Sequence, residues 1–172
     1  MLASGLPPSQ PSAHALLITN QCAGCHLQTA DYQSESEPAI TGHSFRVGLY
    51  GLCLECHPFQ PDQLVALTQY VISNRVQQVK AALDYWGTTA APDELRTNFG
   101  AASWEYVSAG ELSPGATSPT DAQQVLIPTN ILKARFNLYL VLYDGSYGVH
   151  NVFYTQTLLD TAENWVLDEI FP

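Results

Sequence analysis

Every cysteine of the 172-residue chain belongs to one of two copies of a five-residue pattern, Cys22-Ala23-Gly24-Cys25-His26 and Cys53-Leu54-Glu55-Cys56-His57. Two thiols separated by two residues lie one helical turn apart on the same side of the backbone, and the histidine that follows emerges beside them. This spacing lets both thiols add to the vinyl groups of a single porphyrin while the imidazole reaches its iron, the pattern of covalent c-type haem attachment. The chain is therefore expected to fold around two haem c groups. Cys22 and Cys25 would carry the first and Cys53 and Cys56 the second, with His26 and His57 as proximal iron ligands.

Two other uses of four cysteines fit less well. Zinc ribbons set their paired knuckles roughly 15 to 20 residues apart, whereas 27 residues separate Cys25 from Cys53. Zinc would also leave at least one of the two histidines idle. A disulfide across two intervening residues closes a tiny loop and stabilises little. Neither use explains why a histidine follows the second cysteine in both copies.

The sixth ligand decides whether each iron binds small molecules or only exchanges electrons. The one methionine, Met1, stands at the start of the chain, so a His/Met haem is not expected. Besides His26 and His57 the histidines are His14, His43 and His150, three candidates for two remaining positions, with Lys80 and Lys133 as weaker competitors. Two six-coordinate bis-histidine haems are the economical outcome. Coordination filled on both faces favours electron transfer over catalysis, so the chain is not expected to be an enzyme.

At this length, with 46% hydrophobic residues, a single domain over 1–172 is expected, comprising a haem-attachment region at 13–60 and a helical region at 61–172. Sixteen acidic against six basic residues give a formal charge of −10. Nucleic acid and anionic membrane surfaces are poor partners for such a surface, while a basic redox protein suits it. Acidity serves solubility equally well. The first eleven residues carry neither a basic region nor a long apolar run, and no later stretch is long and apolar enough to span a bilayer. Because c-type haem is attached outside the cytoplasmic membrane in bacteria and archaea, the expected location is periplasmic or extracellular, with an export signal already removed.

Where the chain is periodic, the period is helical. A short helix over Ala13 to Gln21 leads into the first motif, a loop runs from Leu27 to Gly42, and His43-Ser44-Phe45 approaches the second motif. Leu64, Leu67, Val71, Ile72, Val76, Val79, Leu83 and Trp86 recur every three or four residues, predicting a long helix that opens after Pro61 and stops at Gly87. From Thr88 to Asp121 the chain is Gly-, Ser- and Pro-rich and is expected to be irregular, with one short helix. A second long helix begins at Thr120 or Pro128 and ends at Asp144-Gly145, with Ile131, Leu132, Arg135, Phe136, Tyr139 and Leu140 along one face. Asn151 caps a last helix with Tyr154, Leu158, Ala162, Trp165 and Ile170 on one side, the side that His150 shares. Packing accounts for Phe45, Tyr154 and Trp165, which are expected to shield the porphyrins rather than relay electrons. No β-sheet is expected.

The order of these parts resembles the C-terminal half of pentahaem cytochrome c nitrite reductases and their multihaem relatives, from His14 to about Ile170. The shared parts are a histidine before each Cys-x-x-Cys-His motif, a long helix, and a later helix opened by Ser146-x-Gly148-x-His150-Asn151. The resemblance implies a mostly α, haem-packed multihaem cytochrome c fold with long loops and a C-terminal bundle of about three helices. It also implies distal ligation of the His26 iron by His150 and of the His57 iron by His14. The histidine at the position of His43 serves an upstream haem in that family, and this chain has no motif for one. His43 is accordingly spare, a replacement for His14, or a ligand across a subunit contact. The lysine-bearing Cys-x-x-Cys-Lys motif of the nitrite-reducing haem is absent, so the resemblance argues against that activity.

The resulting expectation is an exported dihaem cytochrome c that passes single electrons at low potential to redox proteins, other multihaem cytochromes among them. Two alternatives stand beside it. One is a subunit of an extracellular cytochrome filament, formed by self-association through the surplus histidine or the Pro-rich start. The other is a haem enzyme or gas sensor with one open iron.

Overall fold

The structure, a computed structural model, describes residues 11–43 and 45–172. Met1 and the Pro-rich start, read above for a ligand, an export signal and an arm, lie outside the described residues, as does Ser44. The chain is mostly α-helical: among the described residues the extended pairing amounts to two isolated antiparallel bridges, Ala30 with Ile40 and Ser34 with Glu37. Among the described residues six α-helices follow in order: α1 (Ala13–Leu17), α2 (Gln21–His26), α3 (Pro61–Thr89), α4 (Asp93–Phe99), α5 (Thr129–Asp144) and α6 (Val152–Ile170). They divide between two compact units, Pro11–Thr68 and Gln69–Pro172, with the boundary inside α3.

Local chemistry sets the helix ends. The Ser12 hydroxyl accepts a hydrogen bond from the Ala15 amide and starts α1, which stops at Ile18 rather than continuing to Gln21. Ile18 and Thr19 are β-branched and Asn20 favours turns, so the expected single helix becomes two, with Gln21 in the left-handed region at φ 42°. Pro61 supplies the fixed φ suited to a first helical turn in α3. Asn151 caps α6 by accepting from the Tyr154 amide at 3.2 Å, and Gly145, at φ 71°, closes α5 with a left-handed residue.

The core of Gln69–Pro172 is assembled from Ile72, Val76, Val79, Leu83 and Trp86 of α3, Leu95 of α4, Ile131, Ala134 and Leu138 of α5, and Leu158, Leu159, Ala162 and Val166 of α6. Burying each large aliphatic side chain contributes about 1.5–3 kcal/mol. Leu140, assigned above to the buried face of α5, is instead exposed, and Ala134 and Leu138 take the inward positions. The irregular stretch between α4 and α5 is pinned to α5 by polar contacts. Arg135, 6% exposed, donates to the carbonyls of Trp104 (2.9 Å) and Glu105 (2.7 Å) and to Gln124 Oε1 (2.9 Å), while its guanidinium lies 3.8 Å from the centre of the Tyr106 ring. The fully buried Glu105 carboxylate accepts from the Tyr139 hydroxyl at 2.9 and 3.1 Å. Burial, reinforced by the Glu105 contact, pushes the Tyr139 phenol well above its ordinary range.

Gly87 does not stop α3, which continues to Thr89. A Cβ at this position would lie 2.6 Å from the Gly100 carbonyl oxygen, so glycine here permits close packing inside a helix. This contact fixes the sign of a substitution. Helix propensity alone would make Gly87→Ala stabilising by about 1 kcal/mol, but the clash with backbone should reverse it to a loss of about 1–3 kcal/mol. Urea unfolding of the variant measures the difference, and an unchanged or raised midpoint would contradict the packing.

Candidate haem-attachment site

Both cysteine pairs and four of the five histidines lie in Pro11–Thr68. The first motif forms the whole of α2 after Gln21, so Cys22 and Cys25 are separated by one helical turn as the spacing predicts. The second motif begins in a tight 3-10 turn over Leu52–Glu55, which continues through the hydrogen bond from the His57 amide to the Cys53 carbonyl at 2.7 Å. All four cysteines are unbridged. Burial, with smaller contributions from the Cys53 and Cys22 thiols, raises the Cys25 thiol above its ordinary value. Between the motifs lies an open cleft of about 370 Å³ bordered by Gly24 and Gln28 on one side and Gly51, Leu52 and Glu55 on the other.

The histidines are arranged in two ways. His26, the last residue of α2, has its Nδ1 2.9 Å from the Phe45 carbonyl oxygen. A carbonyl only accepts, so Nδ1 carries the proton and Nε2 the lone pair, the tautomer that a metal-binding imidazole requires. The Phe45 ring stacks on the same imidazole with centroids 4.5 Å apart. His14 and His57, 43 residues apart in sequence, have ring centroids 6.2 Å apart and ring planes at 80°. A metal–imidazole bond of about 2 Å places a metal roughly 3 Å from each ring centre, so two rings on opposite faces of one ion stand about 6 Å apart. The observed separation matches that span.

The other two candidates differ. His43 lies exposed in the turn after Gly42. Gly42 itself, at φ 72° and with a would-be Cβ 2.8 Å from the Leu27 carbonyl oxygen, admits no side chain. His150 belongs to Gln69–Pro172, where its Nδ1 is 3.0 Å from Asp144 Oδ1. That hydrogen bond raises the imidazole above its usual value and, with help from Ser146, holds the Asp144 carboxyl below its own. A carboxylate on Nδ1 is the common second partner of a metal-bound imidazole. Asp144 carried no signal in the sequence beyond ending α5.

Burial provides the sharpest test of fit. Among the described residues of Pro11–Thr68, only Gly42 and Pro61 are buried. Leu16, Leu17, Leu27, Phe45, Leu54, Phe59, Leu64 and Leu67 are all exposed, Phe59 to 85%. A unit of this size with no disulfide and no apolar core lacks the means by which small domains are stabilised. Covalently held porphyrins would supply the missing apolar surface, so the residues present fit the group. Zinc fits less well: a structural site needs four donors, and among the described residues no cluster of three or more His, Cys, Asp or Glu side chains converges. A porphyrin iron asks the protein for only two.

Comparison with protein-family models, curated proteins and solved structures returned no match to the chain. The site is therefore read from its own residues.

Replacing all four cysteines by alanine should leave Gln69–Pro172 folded and Pro11–Thr68 open. In amide hydrogen exchange the second unit should keep its protection while amides of the first lose roughly a hundredfold or more. Equal protection in both units would show that the first folds on side chains alone.

Proposed function

We propose that this chain is a dihaem c-type cytochrome whose task is single-electron transfer. The observation that carries the reading is the approach of the His14 and His57 rings to 6.2 Å beside a Cys-x-x-Cys-His motif, in a unit with almost no buried side chains. Bound haem c would supply a one-electron iron couple. Cys22 with Cys25, and Cys53 with Cys56, would attach the two porphyrins to the backbone. His26 and His57 would each bind an iron through Nε2, and His14 would be the second imidazole for the iron at His57. For the second face at His26 the candidates are His150, implied by the resemblance and supported by its Asp144 partner, and His43. Leu16, Leu17, Leu27 and Phe59 are available to exclude water from porphyrin faces. The finer fold belongs to the same proposal: a haem-packed multihaem cytochrome c arrangement with a C-terminal bundle of about three helices.

Export to the periplasm or cell exterior follows from the chemistry of haem c attachment, and no helix among the described residues is long and apolar enough to cross a membrane. Redox proteins, other multihaem cytochromes included, are the proposed partners. Self-association into a filament keeps one observation in its favour, the exposed His43, which is suited to ligation in a neighbouring copy. An open iron has less support because imidazoles suffice for every axial position.

An alkaline pyridine assay should return two haems per chain; fewer than two defeats the proposal. Low-temperature electron paramagnetic resonance should show both ferric irons low-spin. If the rings keep their 80° interplanar angle when both bind one iron, the two π-type d orbitals would be nearly degenerate, so the His14–His57 centre should give a strongly anisotropic signal. His14→Ala should convert that centre alone to high spin. His150→Ala should convert the other, while His43→Ala leaves both low-spin in the isolated chain. Loss of a low-spin signal in His43→Ala would reassign the ligands.

A further inference from the structure

Phe45 holds a backbone conformation that its own side chain disfavours. Its φ is 50°, in the left-handed region, where a bulky residue is a steric outlier and glycine is not. Burial does not hold it there, since the residue is 56% exposed. What engages it is one imidazole, gripped twice. The Phe45 carbonyl accepts from His26 Nδ1 at 2.9 Å, in the plane of the ring, and the Phe45 phenyl covers the face of that ring with planes 12° apart and centroids at 4.5 Å. An in-plane bond at one edge and a stack on one face together oppose rotation of the imidazole about its Cβ–Cγ bond.

We infer that Phe45 is a positioning residue for the His26 iron, setting both the azimuth of the imidazole and the electron density at Nε2. This inference rests on the proposed haem attachment at Cys22 and Cys25. A peptide carbonyl on Nδ1–H draws the proton outward and strengthens donation from Nε2, which favours the oxidised iron. The phenyl ring, stacked on the imidazole face, keeps the left-handed backbone in place. Glycine would adopt the same backbone without strain, so a phenyl group at this position is explained by what it touches. Outliers of this kind collect at ligand clamps, where surrounding contacts over-determine the geometry. His57 is not gripped in this way by its own motif: its closest described ring is His14.

The test uses the holoprotein and compares Phe45→Gly, Phe45→Ala and Phe45→Tyr with the wild type. Each is examined by pyridine assay, by paramagnetic resonance, and by redox titration resolved into its two components. Phe45→Gly and Phe45→Ala should keep two haems per chain. One low-spin signal should shift and broaden, and one of the two redox components should move to higher potential. The second signal, identified by its loss in His14→Ala, should not change. Phe45→Tyr, which retains the ring, should match the wild type in every respect. If Phe45→Gly and Phe45→Ala yield too little holoprotein, Phe45→Leu, with apolar bulk but no aromatic face, is read by the same criteria. Two haems per wild-type chain with both signals and both potentials unmoved in the variants would overturn the inference and leave the functional proposal standing. Fewer than two haems in the wild type would overturn the proposal itself.

Discussion

The Pro11–Thr68 unit cannot be held together by burying its own side chains. Its apolar residues are neither few nor scattered at random: Leu16, Leu17, Leu27, Leu54 and Phe59 flank the cysteine motifs and remain exposed. Conformational entropy of about 1–2 kcal/mol per ordered residue has to be met by something, and neither disulfides nor a packed interior does so here. On the proposed reading, covalent porphyrins would meet the requirement twice over, by tethering two points of the chain at each motif and by offering flat apolar faces, and attachment and folding would then be one event rather than two.

Gln69–Pro172 solves the same problem in the ordinary way. Four helices enclose a continuous aliphatic and indole core, and the long irregular stretch between α4 and α5 is fastened by hydrogen bonds instead of periodic structure. Arg135 and Glu105 are expensive residues to bury. Each nonetheless finds partners: the guanidinium has two backbone carbonyls and an aromatic face, and the carboxylate has a tyrosine hydroxyl and the Gly110 amide. Removing Tyr139 or Arg135 would strand the other groups, so a segment without regular structure need not be a loose one.

The helices were largely legible in the sequence because their signals are local. The three-to-four-residue spacing of Ile72, Val76, Val79 and Leu83, the proline before Thr129 and the capping Asn151 each act within a few residues. The two cysteine motifs were legible for the same reason. Features that were misread or missed depend on distant partners. Gly87 looked like a stop until the Gly100 carbonyl beside it was known. Asp144 became more than a helix terminator only once His150 returned to it. The left-handed backbone of Phe45 and its double contact with His26 had no signature in composition or spacing. The approach of the His14 and His57 rings to 6.2 Å spans 43 residues, a proximity that periodicity alone could not supply.

The helical context of the two motifs is asymmetric. His26 is the final residue of α2, where unsatisfied carbonyls gather partial negative charge, whereas the 29-residue helix α3 opens at Pro61, four residues after His57, with its amides gathering partial positive charge. On the proposed reading these opposite end charges would make an added electron easier to hold at the second motif than at the first, so the backbone itself would grade the two centres before any partner had docked.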